Sequence, residues 1–123
     1  MTSRAILIIE DNETLRLALA SYLQEKGYVV HCAGDGREGL EIARREIPAA
    51  VLADLMMPHM DGRELARRIH EDDDTRHIPV VVLTATDMSD SEREESGFVA
   101  YLRKPVDPHT LMGTLDQVLD DPA

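Results

Sequence analysis

The chain has 123 residues, of which 43% are hydrophobic and 30% charged, and 24 acidic residues against 13 Lys and Arg give it a formal charge of −11. That length suits a single domain, expected to span 1–123, with roughly two-thirds of its unfolded surface buried. The acidic balance disfavours nucleic acid as a direct partner, the lone Cys32 rules out an intramolecular disulfide and fits a reducing cytoplasmic compartment, and no run approaches the ~20 apolar residues of a membrane span.

"AILII" (5–9) reads as a first strand, and the acids that follow it at once exclude a secretory signal. A helix follows through "LRLALASYLQEKG", with Leu15, Leu19, Tyr22 and Leu23 at helical spacing and Gly27 as its stop. "YVVHCA" (28–33) is strand two, with Cys32 expected as a small buried residue. A helix over 36–46 is ended by Pro48, and "AAVLA" (49–53) is strand three. Asp61 is placed to cap a helix over 62–72. "PVVVLTA" (79–85) and "VAYLR" (99–103) are strands four and five. The last helix (107–119) has Asp107 as cap, Pro108 at its first position, and Leu111, Leu115, Val118 and Leu119 as its stripe. Between strands four and five, "TDMSDSEREESG" offers only Met88 as a large apolar residue, so helix 4 is expected to be short or irregular.

Strands alternating with helices predict an α/β fold, a parallel sheet covered on both faces. In such sheets ligands bind beyond the carboxyl ends of the strands. Those ends carry Glu10 and Asp11, Asp54, Thr84, and Lys104 followed by Pro105. Each residue has a bland reading by itself. Asp54 alone is a cap or a solvated turn, Glu10 and Asp11 a charge pair at a helix N-terminus, Lys104 a surface lysine, and Tyr101 a half-buried strand tyrosine. Together they are different. Close carboxylates repel by on the order of a few kcal/mol per pair near a surface, which a cation would offset. Hard oxygen ligands without a His or Cys cluster suit Mg²⁺, with Mn²⁺ as the other ion such a set admits. A carboxylate can also serve as a nucleophile and form an aspartyl-phosphate, with Lys104 and Thr84 placed to neutralise the phosphoryl oxygens.

The series "IIED", "VLADLMMPHMDG", "VVVLTA" and "YLRKP" resembles the receiver domain of two-component response regulators over essentially the whole chain. The resemblance implies a flavodoxin-like, doubly wound five-stranded sheet in the order 2-1-3-4-5. It implies that Asp54 is the phosphoacceptor, and that Glu10, Asp11, Asp54 and the backbone carbonyl of Met56 hold Mg²⁺. Thr84 and Lys104 would contact the phosphoryl group, Thr84 and Tyr101 would form the switch, and the Lys104–Pro105 bond would be cis. It further implies a cytoplasmic bacterial phosphoprotein that is not an enzyme with a separate substrate. Its partners would be a histidine kinase or histidine phosphotransfer protein, and a downstream protein on the face of helix 4, strand 5 and helix 5, with no membrane and no direct nucleic acid contact.

The sequence departs from that pattern in places. Glu10 stands where Asp is frequent, Phe98 where a small residue is usual, and the stretch from Thr84 to Gly97 is about two residues short. The chemistry therefore reads as intact and the output face as altered. A stand-alone relay and a receiver cut from a larger protein both remain open. So does a pseudo-receiver that docks without phosphate. A phosphohydrolase with an aspartyl nucleophile would want a second acid where Met56 stands, and a flavin carrier would want glycines and hydroxyls in place of "EDNET". Copper binding by Met56, Met57, His59 and Met60 is the weaker reading of "MMPHM" beside packing of the methionines.

Overall fold

A computed structural model describes residues 4–120. Ten elements alternate along the chain: β1 (Ala5–Ile9), α1 (Glu13–Glu25), β2 (Val29–Ala33), α2 (Gly36–Glu46), β3 (Ala50–Asp54), α3 (Gly62–Glu71), β4 (Val80–Thr84), α4 (Asp90–Ser96), β5 (Ala100–Arg103) and α5 (Pro108–Asp120). The five strands form one sheet in the order β2-β1-β3-β4-β5, and every pair is parallel. This is the flavodoxin-like arrangement the sequence implies.

β3 and β4 are buried along their whole length, and β1 from Ile6 onward. That explains their near-continuous apolar runs, since a parallel strand is covered on both faces. Successive side chains point to opposite faces, so the strands feed two cores. Leu7, Ile9, Val51, Ala53, Val80 and Val82 pack with Leu40 of α2 and Leu65 and Ile69 of α3. Ile6, Ile8, Leu52 and Leu83 pack with Leu19 and Leu23 of α1 and Leu111 and Leu115 of α5. The helices start where short polar side chains accept a backbone N–H. Asn12, Asp35, Asp61 and Asp107 each do so at 2.9 Å, and Ser89 at 3.1 Å. The observed ends differ from the sequence reading by a residue or two, the ordinary fraying of element boundaries.

Two local features depart from, or add to, that reading. Cys32 is only half-buried, because β2 is an edge strand with one neighbour. α4 is short and contributes no buried residue, as its composition suggests, yet the segment is anchored at both flanks. Met88 before it and Phe98 after it are both buried in the α2–α3 core. Gly97 takes φ +81°, Gly97 N–H reaches Glu94 O at 3.1 Å, and Phe98 N–H reaches Arg93 O at 3.0 Å. This is a Schellman ending, in which the residue after the glycine commonly supplies an apolar contact. Phe98 supplies that contact here.

Candidate functional site

The register sets Ile9 opposite Ala33 and Ala53, Asp54 opposite Leu83, and Thr84 opposite Arg103. The sheet therefore delivers Glu10, Asp54, Thr84 and Lys104 to one edge. Glu10 is fully buried, Asp54 nearly so, and Asp11 exposed. One carboxylate oxygen from each of these three residues can be chosen so that all lie within 4.8 Å of one another. Lys104 reaches across the group, with Nζ 2.9 Å from Glu10 Oε1 and 3.1 Å from Asp54 Oδ2. Of the other two oxygens, Glu10 Oε2 accepts the Asn12 N–H at 3.1 Å and Asp54 Oδ1 accepts the Met56 N–H at 3.3 Å.

The ammonium lies at ion-pair distance from Glu10 Oε1, but that buried oxygen has no partner in hydrogen-bonding geometry. Its charge is offset and its lone pairs are not directed at a donor. A buried acceptor in that condition, beside two further carboxylates and no His or Cys, matches the oxygen set of a hard divalent cation. The residues present fit Mg²⁺.

Burial disfavours the charge of Lys104, but the close carboxylates of Glu10 and Asp54 outweigh it, so the lysine pKa is raised. A raised pKa means that the lysine's contribution to stability is complete below the ordinary lysine value and is lost as pH rises through the raised one.

Thr84 is buried at the end of β4, and its hydroxyl is engaged with its own loop. It donates to Thr86 O at 3.1 Å and accepts the Thr86 N–H at 3.2 Å. Tyr101 is half-buried against the α2–α3 core. The Lys104–Pro105 peptide is cis. The methionines of "MMPHM" divide, with Met57 and Met60 buried in the core and Met56 73% exposed, so they do not gather around His59. A groove of about 580 Å³ between α3 and the end of α4, lined by Arg63, His70 and Glu95 among others, touches none of Glu10, Asp11 and Asp54.

The sequence profile of the response regulator receiver domain matches residues 6–116. The chain belongs to this family. It is 36% identical over 116 residues to the protein PilH of Pseudomonas aeruginosa, covering 93% of this chain and 96% of that one. It is 32% identical over 120 residues to the polar-differentiation response regulator DivK of Brucella anthropi, covering 96% and 98%. Among solved structures, the chemotaxis protein CheY4 of Vibrio cholerae superposes with a TM-score of 0.90 at 30% identity, covering 96% of this chain and 100% of that one. The receiver domain of a Pseudomonas aeruginosa sensor histidine kinase, described with a magnesium ion coordinated in its active site cleft, superposes with a TM-score of 0.87 at 28% identity and covers 96% and 98%. Receiver domains are modules of two-component signalling that bind Mg²⁺ at an acidic pocket, and this receiver carries such a cluster.

Arg16 has no signal in motif reading, and Gly62 enters it only as the end of "VLADLMMPHMDG", where the resemblance implies that Pro58 and Gly62 form the turn after the acceptor. Arg16 of α1 donates from Nη1 to the backbone carbonyl of Glu10 at 2.8 Å. Gly62, the first residue of α3, passes so close to the acceptor strand that a Cβ there would lie 2.9 Å from Asp54 O and 3.0 Å from Leu55 Cα. Both obstacles are backbone and cannot rotate away. Gly62→Ala is expected to destabilise the domain by about 1–3 kcal/mol, the usual cost of overpacking. Urea unfolding of the variant measures it, and a loss within error of zero would mean that the turn after β3 shifts freely.

Proposed function

We propose that this receiver accepts a phosphoryl group on Asp54 from a histidine kinase or a histidine phosphotransfer protein in a Mg²⁺-dependent reaction, and thereby switches a protein-interaction face. The observation that supports it most is the convergence of Glu10, Asp11 and Asp54 with Lys104 bridging two of them. Bound Mg²⁺ would offset the charge of the carboxylates and of the incoming phosphoryl oxygens, and Glu10, Asp11, Asp54 and the Met56 carbonyl are the groups that would hold it.

In the transfer, an Asp54 carboxylate oxygen forms a bond to phosphorus as the bond from phosphorus to the donor imidazole nitrogen breaks. Lys104 already touches the acceptor, so its ammonium is placed to follow charge onto the phosphoryl group. Thr84 has to exchange its Thr86 partners for a phosphoryl oxygen. That exchange would open space beside β5 for Tyr101 to turn inward, coupling the phosphorylated state to the α4–β5–α5 face. The domain assists its own modification and has no separate substrate. Among the described residues no helix is long and apolar enough to cross a membrane, which accords with a cytoplasmic setting.

Intact-mass spectrometry after incubation with acetyl phosphate tests the reading. One added phosphoryl group is expected on the wild type with Mg²⁺, and none without Mg²⁺ or on Asp54→Asn. Equal uptake by Asp54→Asn would overturn the acceptor assignment. No uptake together with no Mg²⁺ binding would leave phosphate-independent docking as the function.

A further inference from the structure

Glu10 lies one residue past the end of β1, where the sheet ladder stops at Ile9. Its N–H is still held, by Ala33 O at 3.1 Å. Its carbonyl has no strand partner, although the residue is wholly buried, and a buried carbonyl needs a donor. The donor is Arg16, whose Nη1 stands 2.8 Å away. The guanidinium lies in the angle between the ends of β1 and β2, since a Cβ on Gly34 would sit 3.5 Å from the same Nη1. Burial pushes the Cys32 thiol up while the charge of Arg16 pulls it down, which places that charge beside β2 as well. Among the described residues no carboxylate pairs with Arg16, so its charge is directed at a backbone oxygen in the midst of an acidic site.

We infer that Arg16 is a positioning residue for the divalent-cation site: it fixes the Glu10 peptide so that the carboxylates of Glu10 and Asp11 converge with Asp54. The inference rests on the proposed Mg²⁺ chemistry and goes beyond it in naming a residue that touches neither metal nor phosphoryl group. The peptide it holds joins the two acids. Release of that carbonyl frees the β1–α1 turn to rotate, and both side chains rotate with it. The Asn12 N–H, which donates to Glu10 Oε2, would move too. Groups that orient metal ligands from outside commonly change affinity by 10–100-fold.

The sign of the effect separates positioning from plain electrostatics. Loss of a positive charge near three carboxylates would by Coulomb's law tighten the binding of a cation. Loss of a positioning group weakens it. Calorimetric titration with MgCl₂ is therefore made on the wild type, Arg16→Met and Arg16→Lys, with melting curves in EDTA and amide spectra of the metal-free proteins. Arg16→Met is expected to bind Mg²⁺ about tenfold more weakly or worse, with Arg16→Lys between it and the wild type, and with the Asn12 amide signal displaced while those of α5 stay in place. Equal or tighter binding by Arg16→Met overturns the inference, and so does an affinity loss accompanied by an unmoved Asn12 signal. If Arg16→Met does not fold, Arg16→Lys decides. Weaker binding at an unchanged melting temperature supports positioning, and binding equal to the wild type overturns it. A wild type that binds no Mg²⁺ overturns the proposed site itself, a result distinct from any change confined to the variants.

Discussion

Phe98→Ala should lower the unfolding free energy by about 3–5 kcal/mol, the range for deleting a buried aromatic ring. Phe98 is 2% exposed, shares the α2–α3 core with Met88, and has Tyr101 packed against the same cluster. α4 itself buries nothing, so Met88 and Phe98 are the buried apolar anchors of the chain between β4 and β5. The Schellman ending ties the ring to the helix, because the Phe98 N–H bonds Arg93 O and the Arg93 guanidinium returns to Phe98 O at 3.3 Å. Removal of the ring should therefore loosen a whole segment. Urea unfolding should show the loss of stability, and hydrogen exchange should quicken over residues 86–97 more than in β1 or β3. Glu94→Ala, on the exposed helix, serves as the control and should stay within about 0.5 kcal/mol of the wild type. A Phe98→Ala loss no larger than that of the control would mean that Phe98 does not anchor the segment.

Phe98 also shows where sequence reading stops. It stands out as a large residue where a small one is usual, which reads as an altered output face. The structure gives the reason in packing terms. A helix made of Asp, Ser, Glu and Arg cannot build its own apolar stripe, and the residue after its C-terminal glycine takes over. The strands were legible because β1, β3 and β4 are covered on both faces and so carry unbroken apolar runs. The convergence of Glu10, Asp11, Asp54 and Lys104 was legible because a parallel sheet sends all its carboxyl ends to one edge. What escaped were contacts made through the backbone. Nothing in the order of residues says that Arg16 will find the Glu10 carbonyl, that Thr84 will close on Thr86, or that Gly62 will lie so near β3 that a Cβ there would come within 2.9 Å of Asp54 O. Those depend on how the turns beyond the strand ends fold back, and side-chain spacing does not record it. Cys32 illustrates the same limit, since its exposure follows from β2 being an edge strand.

Lys104→Met should destabilise the metal-free domain by about 2–4 kcal/mol. The substitution keeps much of the stem and removes the only cation paired with the carboxylates of Glu10 and Asp54 among the described residues. Removal of one partner from a buried ion pair typically costs 3–5 kcal/mol, and the lower figure allows for the 27% of the lysine side chain that solvent already screens. The loss comes from what remains: Glu10 is fully buried, and its Oε1 has no hydrogen bond to fall back on. Two consequences distinguish this cause from a simple packing defect. Saturating Mg²⁺ should stabilise Lys104→Met by more than it stabilises the wild type, because any Mg²⁺-binding form gains from the ion but only the variant lacks the positive charge that the ion supplies. Glu10→Gln added to Lys104→Met should also recover part of it in EDTA, because the orphaned buried charge is then gone; the pair would be strongly non-additive in a double-mutant cycle. Urea titrations of the four proteins, each with EDTA and with Mg²⁺, decide the matter. A Lys104→Met loss that Glu10→Gln does not reduce, and that Mg²⁺ offsets no more than it stabilises the wild type, would show that the loss is a packing defect and not an orphaned buried charge. The acidic edge would then be tolerated by solvent alone, with no need of a cation to hold it together.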